Sequence, residues 1–208
     1  MNEPPGLRTI KKERTRQAIA DTAIGLFLAH GFDGVSVLEI AAAAEVSKPT
    51  LFRYFPSKEE LVLHRIADHL GESGRVVAAR GSGQTPLDAL EHHLLDRLAA
   101  RDPATGLCAE PQVLAFHRLV YGTPSLSSHL FDWIARDTEL LAEALGGPGE
   151  LTARLLATQF VSVRQDLTRT NWQRLSDGLP EEDAHRQAVE DTATAFALLR
   201  TGAAGYGY

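Results

Sequence analysis

Residues 36–60 read SVLEIAAAAEVSKPTLFRYFPSKEE, and the fold of the first third of the chain follows from them. Ser36-Val-Leu-Glu39 is a capping box: the hydroxyl and the carboxylate each satisfy an amide that the first helical turn leaves without a partner. It predicts a short helix from Val37 to Ala44. Ser47-Lys-Pro-Thr50 restarts the chain, with Ser47 as N-cap and Pro49 tolerated in the first turn, and Pro56 stops that helix at Phe55. Leu51 and Phe55, four residues apart, supply the buried stripe, while Lys48, Thr50, Arg53 and Tyr54 face outward. Two short helices joined by a turn of three or four residues form a helix-turn-helix over 36–55, an arrangement whose second helix can enter a DNA major groove.

Outward from this stretch the pattern stays helical. Upstream, Ile19, Ala23, Leu26 and Phe27 mark one face of a helix starting at about Thr9 or Glu13 and ending before Gly31. Downstream, Ser57-Lys-Glu-Glu60 is a second capping box that opens a helix to about Leu70. From Gly71 the texture turns rich in Gly and Ser, which places a linker at 71–85 between a module at 9–70 and a second at 86–208. There, Pro86 opens a helix to about Ala100, 102–111 form a loop, and a helix follows to Tyr121. Thr123-Pro124 starts another, ending near Gly146, and long helices close the chain at about Glu150–Ser176 and Pro180–Leu199. The tail from Gly202 is expected to be loosely ordered. No Val/Ile/Thr-rich alternation marks a strand, so the fold class is all-α, a three-helix N-terminal domain followed by a C-terminal helical one.

The 208 residues carry a formal net charge of −6, which by itself argues against nucleic acid. The charge is uneven. Residues 1–65 hold nine basic and eight acidic side chains, a net of +1 that includes all four lysines, and the remaining 143 hold 12 and 19, a net of −7. The single cysteine, Cys108, excludes an intramolecular disulfide, no run of about 18 apolar residues can span a bilayer, and the N-terminus is polar; together these predict a cytoplasmic chain with no membrane partner. No phosphate loop, nucleophile elbow or metal signature occurs, and the adjacent His92 and His93 point about 100° apart on a helix. His117, His129 and Cys108 read as structural. Neither an enzyme nor a cofactor is expected.

The run from Phe32 through Leu61, FDGVSVLEIAAAAEVSKPTLFRYFPSKEEL, together with Arg14, Phe27 and Gly31, resembles the DNA-binding domain of TetR-family transcriptional regulators. The resemblance implies an N-terminal reader, a C-terminal domain that binds an effector and dimerises, and a homodimer on a near-palindromic double-stranded operator. Position by position, it implies a phosphate contact at the amide of Ser36. Ser47, Lys48, Pro49, Thr50, Phe52 and Arg53 fall on the recognition helix, Tyr54 and Lys58 are phosphate clamps, and Arg14, Arg16, Lys11 and Lys12 add contacts from the first helix and the arm before it. Two positions depart from the pattern: Glu45 stands where the turn often has glycine, and Phe52 replaces a tyrosine.

In the long helix after residue 150, Leu156, Phe160, Val163 and Leu167 form one stripe and Ala157, Val161, Thr168 and Trp172 another. A belt this wide predicts burial against both the subunit core and a second copy, and Ala188, Thr192, Ala195, Phe196 and Leu199 give the last helix a matching small-residue face. Candidate effector-lining residues are Leu94, Leu98, Phe116, Leu119, Val120, Phe131, Trp133, Ile134, Phe160 and Arg164, an aromatic mix suited to a hydrophobic or amphipathic small molecule. The leading expectation is therefore a homodimeric repressor released from its operator by such a ligand. A ligand-independent or protein-partnered DNA-binding regulator stays open beside it.

Overall fold

A computed structural model describes residues 6–67, 69–146 and 151–204. The regular elements among them are all helical: α1 (Leu7–His30), α2 (Val37–Ala43), α3 (Lys48–Tyr54), α4 (Lys58–Ala67), α5 (Glu72–Ala78), α6 (Pro86–Ala99), a 3-10 turn at Pro103–Thr105, α7 (Pro111–Gly122), α8 (Pro124–Leu145), α9 (Leu151–Ser176) and α10 (Glu181–Ala203). The predicted start near Glu150 and the tail from Gly205 lie outside the described residues, whereas Gly202 and Ala203 of the tail belong to α10. Among the described residues no helix is long and apolar enough to cross a membrane.

The chain divides into two compact units, Met1–Asp68 with Arg118–Leu130, and His69–His117 with Phe131–Tyr208. The change of unit between residues 68 and 69 falls close to the boundary read from the sequence. Residues 118–130, read as part of the second module, group instead with the first, where Val120 and Leu126 are buried.

In the N-terminal unit, Ile19, Ala20, Ala23, Ile24 and Phe27 of α1 are buried at spacings of three and four, as an amphipathic helix requires. Gly31 (φ 78°) ends α1 and its amide donates to the Phe27 carbonyl, a helix-ending turn that glycine enters without steric cost. The ring of Phe32 then folds back to 5.0 Å from that of Phe27. Ile40 of α2, Leu51 and Phe55 of the α3 segment and Leu61, Val62 and Leu63 of α4 complete the core.

The C-terminal unit is built around α6, α9 and α10, whose Leu87, Leu90, Leu98, Phe160 and Phe196 share one apolar cluster. One expectation changes here. The Gly/Ser-rich stretch read as linker carries α5, with Val77 fully buried, because Gly74 allows close approach: a Cβ at that position would lie 3.0 Å from the carbonyl oxygen of Leu140. The wide belt of α9 packs in part on the subunit's own core, with Val163, Leu167, Thr168 and Trp172 left half-buried. Leu156, Ala157, Phe160 and Val161 are buried, Val163 and Leu167 pack against the same cluster, and Trp172 donates from Nε1 to the Leu114 carbonyl at 3.1 Å. The predicted face of α10 turns inward too, with Ala188, Thr192, Phe196 and Leu199 buried and Ala195 half-buried.

Candidate nucleic-acid interface

The helix-turn-helix is assembled by caps that act within a few residues of themselves. The Ser36 amide donates to Glu39 Oε2 at 2.7 Å and the Glu39 amide to Ser36 Oγ at 3.2 Å, both halves of the predicted box. These hydrogen bonds from the Ser36 backbone and side chain hold the Glu39 carboxyl below its ordinary pKa. After α2 the Val46 amide reaches the Ala41 carbonyl (2.9 Å) and the Glu45 amide that of Ala42 (3.2 Å), a Schellman closure that sets Glu45 at φ 54°. The glycine-like position noted in the sequence is thus left-handed, and a carboxylate-bearing residue occupies it.

Ser47 Oγ accepts the Thr50 amide at 3.2 Å and donates its proton to Thr50 Oγ1 at 2.9 Å, so the Thr50 hydroxyl proton is not used in that pair. With Leu51 and Phe55 buried, α3 presents Ser47, Lys48, Pro49, Phe52 and Arg53 to the exterior, and Thr50 and Tyr54 sit half-buried at its edges. Lys48 Nζ lies 5.9 Å from the centre of the Phe52 ring, and the Arg53 guanidinium 5.6 Å from that of Tyr54. Beside Arg53 and Tyr54 opens a concavity of about 520 Å³ whose other walls are Lys11, Lys12 and Thr15. Since α1 begins at Leu7, Lys11 and Lys12 belong to the helix and not to an arm before it.

Two expected contacts have other geometry. Lys58 is partly buried; its ammonium donates to the Phe32 carbonyl and lies 4.3 Å from the Phe32 ring centre and 5.4 Å from that of Phe27, so it first braces α4 against the end of α1. Arg16 lies 5.3 Å from the Phe55 ring centre, also bracing the core. Arg14 is exposed but does not line the concavity.

The expected effector-lining residues fall in both units of the chain. Leu119 and Val120 belong to the N-terminal unit, the remaining residues to the C-terminal one. Leu94, Leu98 and Phe160 are members of the apolar cluster, against which Ile134 also packs. Phe131 is 68% exposed on α8. Phe116 is buried and Trp133 half-buried. Arg164 is engaged: Nη2 pairs with Asp137 Oδ2 at 2.7 Å, Nη1 donates to Ser73 Oγ at 2.8 Å, and Asp137 also accepts the Gly71 amide at 2.8 Å. Asp137 was not singled out from the sequence, because its partners lie far away in the chain and a carboxylate on an otherwise mixed helix gives no local signal.

Comparison with known proteins agrees with this architecture. Residues 19–64 match the family described as bacterial regulatory proteins, tetR family. The HTH-type transcriptional regulator TcmR of Streptomyces glaucescens is 35% identical over 78% of this chain and 68% of its own length. The HTH-type transcriptional activator FasR of Mycolicibacterium smegmatis is 30% identical over 79% of this chain and 74% of its own. Among solved structures, NalD of Pseudomonas aeruginosa, the secondary repressor of the MexAB-OprM multidrug efflux pump, superposes with a TM-score of 0.59 over 89% of this chain and 96% of its own at 18% identity, a likeness of fold. With the capped helix-turn-helix and the all-helical C-terminal unit, these matches show that the chain belongs to the TetR family of DNA-binding transcriptional regulators.

Proposed function

We propose that the protein is a homodimeric repressor that reads its operator with α3 and leaves it when a small hydrophobic or amphipathic molecule binds the C-terminal unit. The observation that carries the reading of DNA is the exposed strip Lys48, Pro49, Phe52 and Arg53 on a helix fixed from beneath by Leu51 and Phe55. Lys48 and Thr50 are then the side chains that meet base edges, with the Thr50 proton as donor or its methyl against thymine. Tyr54, Ser36 and Ser47 meet phosphates, and two such helices enter successive major grooves about 34 Å apart.

Dimerisation is supported by exposed apolar side chains on the outer faces of the last two helices: Leu151 and Leu155 on α9 and Leu198 on α10, the last flanked by exposed Ala193, Ala197 and Thr201. These residues replace the inward stripes as the surface that a second copy covers. Effector response is supported by the pair of the buried Asp137 with the half-buried Arg164 beside the Phe160 ring, a polar group that a bound amphipathic molecule can engage. The ligand-independent alternative draws its support from Leu94, Leu98 and Phe160, which already fill the core.

A gel-shift with the DNA upstream of the protein's own gene tests the reading: wild type shifts the fragment and Lys48→Ala with Tyr54→Ala does not. Failure of wild type to bind, or unchanged binding by the double variant, removes the assignment of α3. A thermal-shift screen separates the effector readings, because a ligand at 100 times its Kd adds about 2.7 kcal/mol of apparent stability. A reporter under the same upstream DNA fixes the sign of regulation.

A further inference from the structure

We propose that Lys58 is a positioning residue of the DNA reader: its ammonium fixes the loop that carries α1 into α2, and its contribution to operator binding is the placement of the helix-turn-helix, not a contact with phosphate. The inference rests on the DNA-reading function above. Lys58 opens α4, and its ammonium donates to the carbonyl of Phe32, 26 residues earlier. The same nitrogen lies 4.3 Å from the centre of the Phe32 ring and 5.4 Å from that of Phe27, so it holds the loop and the end of α1 together. Phe32 and Val35 of the loop are buried, and Gly34 passes so close to α1 that a Cβ there would lie 2.5 Å from the His30 carbonyl oxygen. Ser36 follows at once and caps α2 together with Glu39. A shift of Phe32 is therefore carried through packed chain into the start of α2, and the closure from the Val46 amide to the Ala41 carbonyl passes it on to α3.

Geometry and charge both hold the ammonium inward. Hydrogen bonds from Ser36 are the main reason that the Glu39 carboxyl sits below its ordinary pKa, and the charges of His30 and Lys58 add to it, so the ammonium stands within electrostatic reach of the carboxylate that caps α2. One carbonyl, two ring faces and that carboxylate thus attract the same cation. To meet a phosphate it must give up the carbonyl and the rings for an ion pair weakened by solvent and salt. Lys48 is the contrasting case: it is exposed on α3 with its nitrogen 5.9 Å from the Phe52 ring centre, an arrangement that leaves its charge facing outward.

Two measurements test the role, both on the full-length protein with operator taken from the DNA upstream of its gene. The lysines of the chain are Lys11, Lys12, Lys48 and Lys58, so reductive dimethylation read by mass spectrometry reports on each. Lys58 is expected to react more slowly than Lys48 in the free protein and to keep that rate when operator is added, while Lys48 becomes protected. Labelling of Lys58 that DNA slows as it slows Lys48 marks a phosphate clamp and overturns the proposal. Fluorescence anisotropy across a KCl series then compares wild type with Lys58→Met, which keeps an apolar stem and no ammonium. Operator affinity is expected to fall about tenfold, comparable to one mismatched base pair, with unrelated duplex weakened less than about twofold. The slope of log affinity against log salt stays as in wild type, whereas loss of a phosphate contact lowers it by about 0.9 for each one removed. A lowered slope overturns the positioning role, as does unchanged operator affinity, and so does equal weakening of both duplexes, which a clamp or a general loss of folded protein produces. Phe32→Leu leaves Lys58 in place and takes away its ring; the two substitutions combined should weaken operator binding little more than either alone, and additive losses break the link. If Lys58→Met does not fold, the labelling of wild type decides by itself. Failure of wild type to bind any duplex overturns instead the DNA reading on which the role rests.

Discussion

In the N-terminal unit four cations lie over rings: Arg16 over Phe55, Lys48 over Phe52, Arg53 over Tyr54, and Lys58 over Phe27 and Phe32. In the C-terminal unit they meet carboxylates: Arg97 with Glu72 and Asp102, Arg101 with Glu181 and Glu182, Arg164 with Asp137, Arg174 with Asp191, and Arg200 with Asp88 and Glu91. The division has exceptions, such as the exposed Arg65–Asp21 pair at 3.7 Å and the Phe160 and Phe196 rings beside Arg164 and Arg200. Its consequence is electrostatic. A ring face positions a cation without cancelling its charge, whereas a carboxylate at hydrogen-bond distance neutralises it. A chain of net charge −6 can therefore present positive charge to phosphate from the unit whose cations are held by aromatics.

The sharpest way to break this comparison is to remove one partner from each kind of contact. Asp137 is buried, pairs with Arg164 at 2.7 Å and accepts the Gly71 amide at 2.8 Å. Asp137→Ala strands a partly buried guanidinium and an amide, and is expected to cost about 3–5 kcal/mol in urea unfolding. Lys48→Ala removes an exposed cation from a ring and should change stability by less than about 0.5 kcal/mol while weakening duplex binding. Equal stability costs for the two variants would erase the distinction between the units.

The same contrast predicts where acid acts. Burial works to raise the Glu72 carboxyl pKa, but hydrogen bonds from His69 and His93 and the Arg97 guanidinium outweigh it and hold the group below the ordinary carboxylate value of 4.5. Folding lowers this pKa, so the stability it confers is complete above 4.5 and is lost as pH falls beneath it. Asp88 and Asp102 are lowered as well and add to the loss. His117 is depressed below 6.5 mainly by burial, against a hydrogen bond to the Pro103 carbonyl that raises it. The unfolded chain therefore takes up its proton first, and stability begins to fall as pH drops below 6.5. Urea unfolding at a series of pH values should show both windows, with His117→Phe flattening the upper one and Glu72→Gln the lower. A stability that stays flat below pH 6.5 contradicts the first assignment, and one that stays flat well below 4.5 the second.

What could be read from the sequence follows the range of the interactions. The box at Ser36 and Glu39 and the Ser47 cap close within about one helical turn, so residue order alone encodes them, whereas the left-handed φ of Glu45 has no signal in a glutamate. The inward aim of Lys58 depends on a carbonyl 26 residues away, and the Arg164–Asp137 pair spans 27. Neither leaves a periodic trace. The α9 belt is legible only in part for a related reason: periodicity reports that both stripes are apolar but not what covers them, and the subunit's own core takes Leu156, Ala157, Phe160 and Val161. Glycine was ambiguous in the same way. Gly74 reads as linker by composition, although its place in the fold depends on the absence of a side chain beside Leu140.

The smallest expected effect tests whether the reader unit tolerates a carboxylate at its turn for a reason of charge or of backbone. Glu45 holds φ 54°, a conformation that costs an L-residue about 1–2 kcal/mol, and Glu45→Gly relieves it while adding about 0.5–1 kcal/mol of unfolded-chain entropy. The net expectation is a gain of about 0.5–1 kcal/mol in thermal unfolding. The substitution also removes an exposed anion from the turn that leads into α3, so duplex affinity should rise at low salt, the gain fading as salt is added. Glu45→Ala separates the two contributions, because it discards the charge and keeps the strained backbone. It should match the glycine variant in DNA affinity but not in stability. If Ala stabilises as much as Gly, the cost at this turn is electrostatic, and the N-terminal unit is less free of internal charge conflict than its ring-held cations imply.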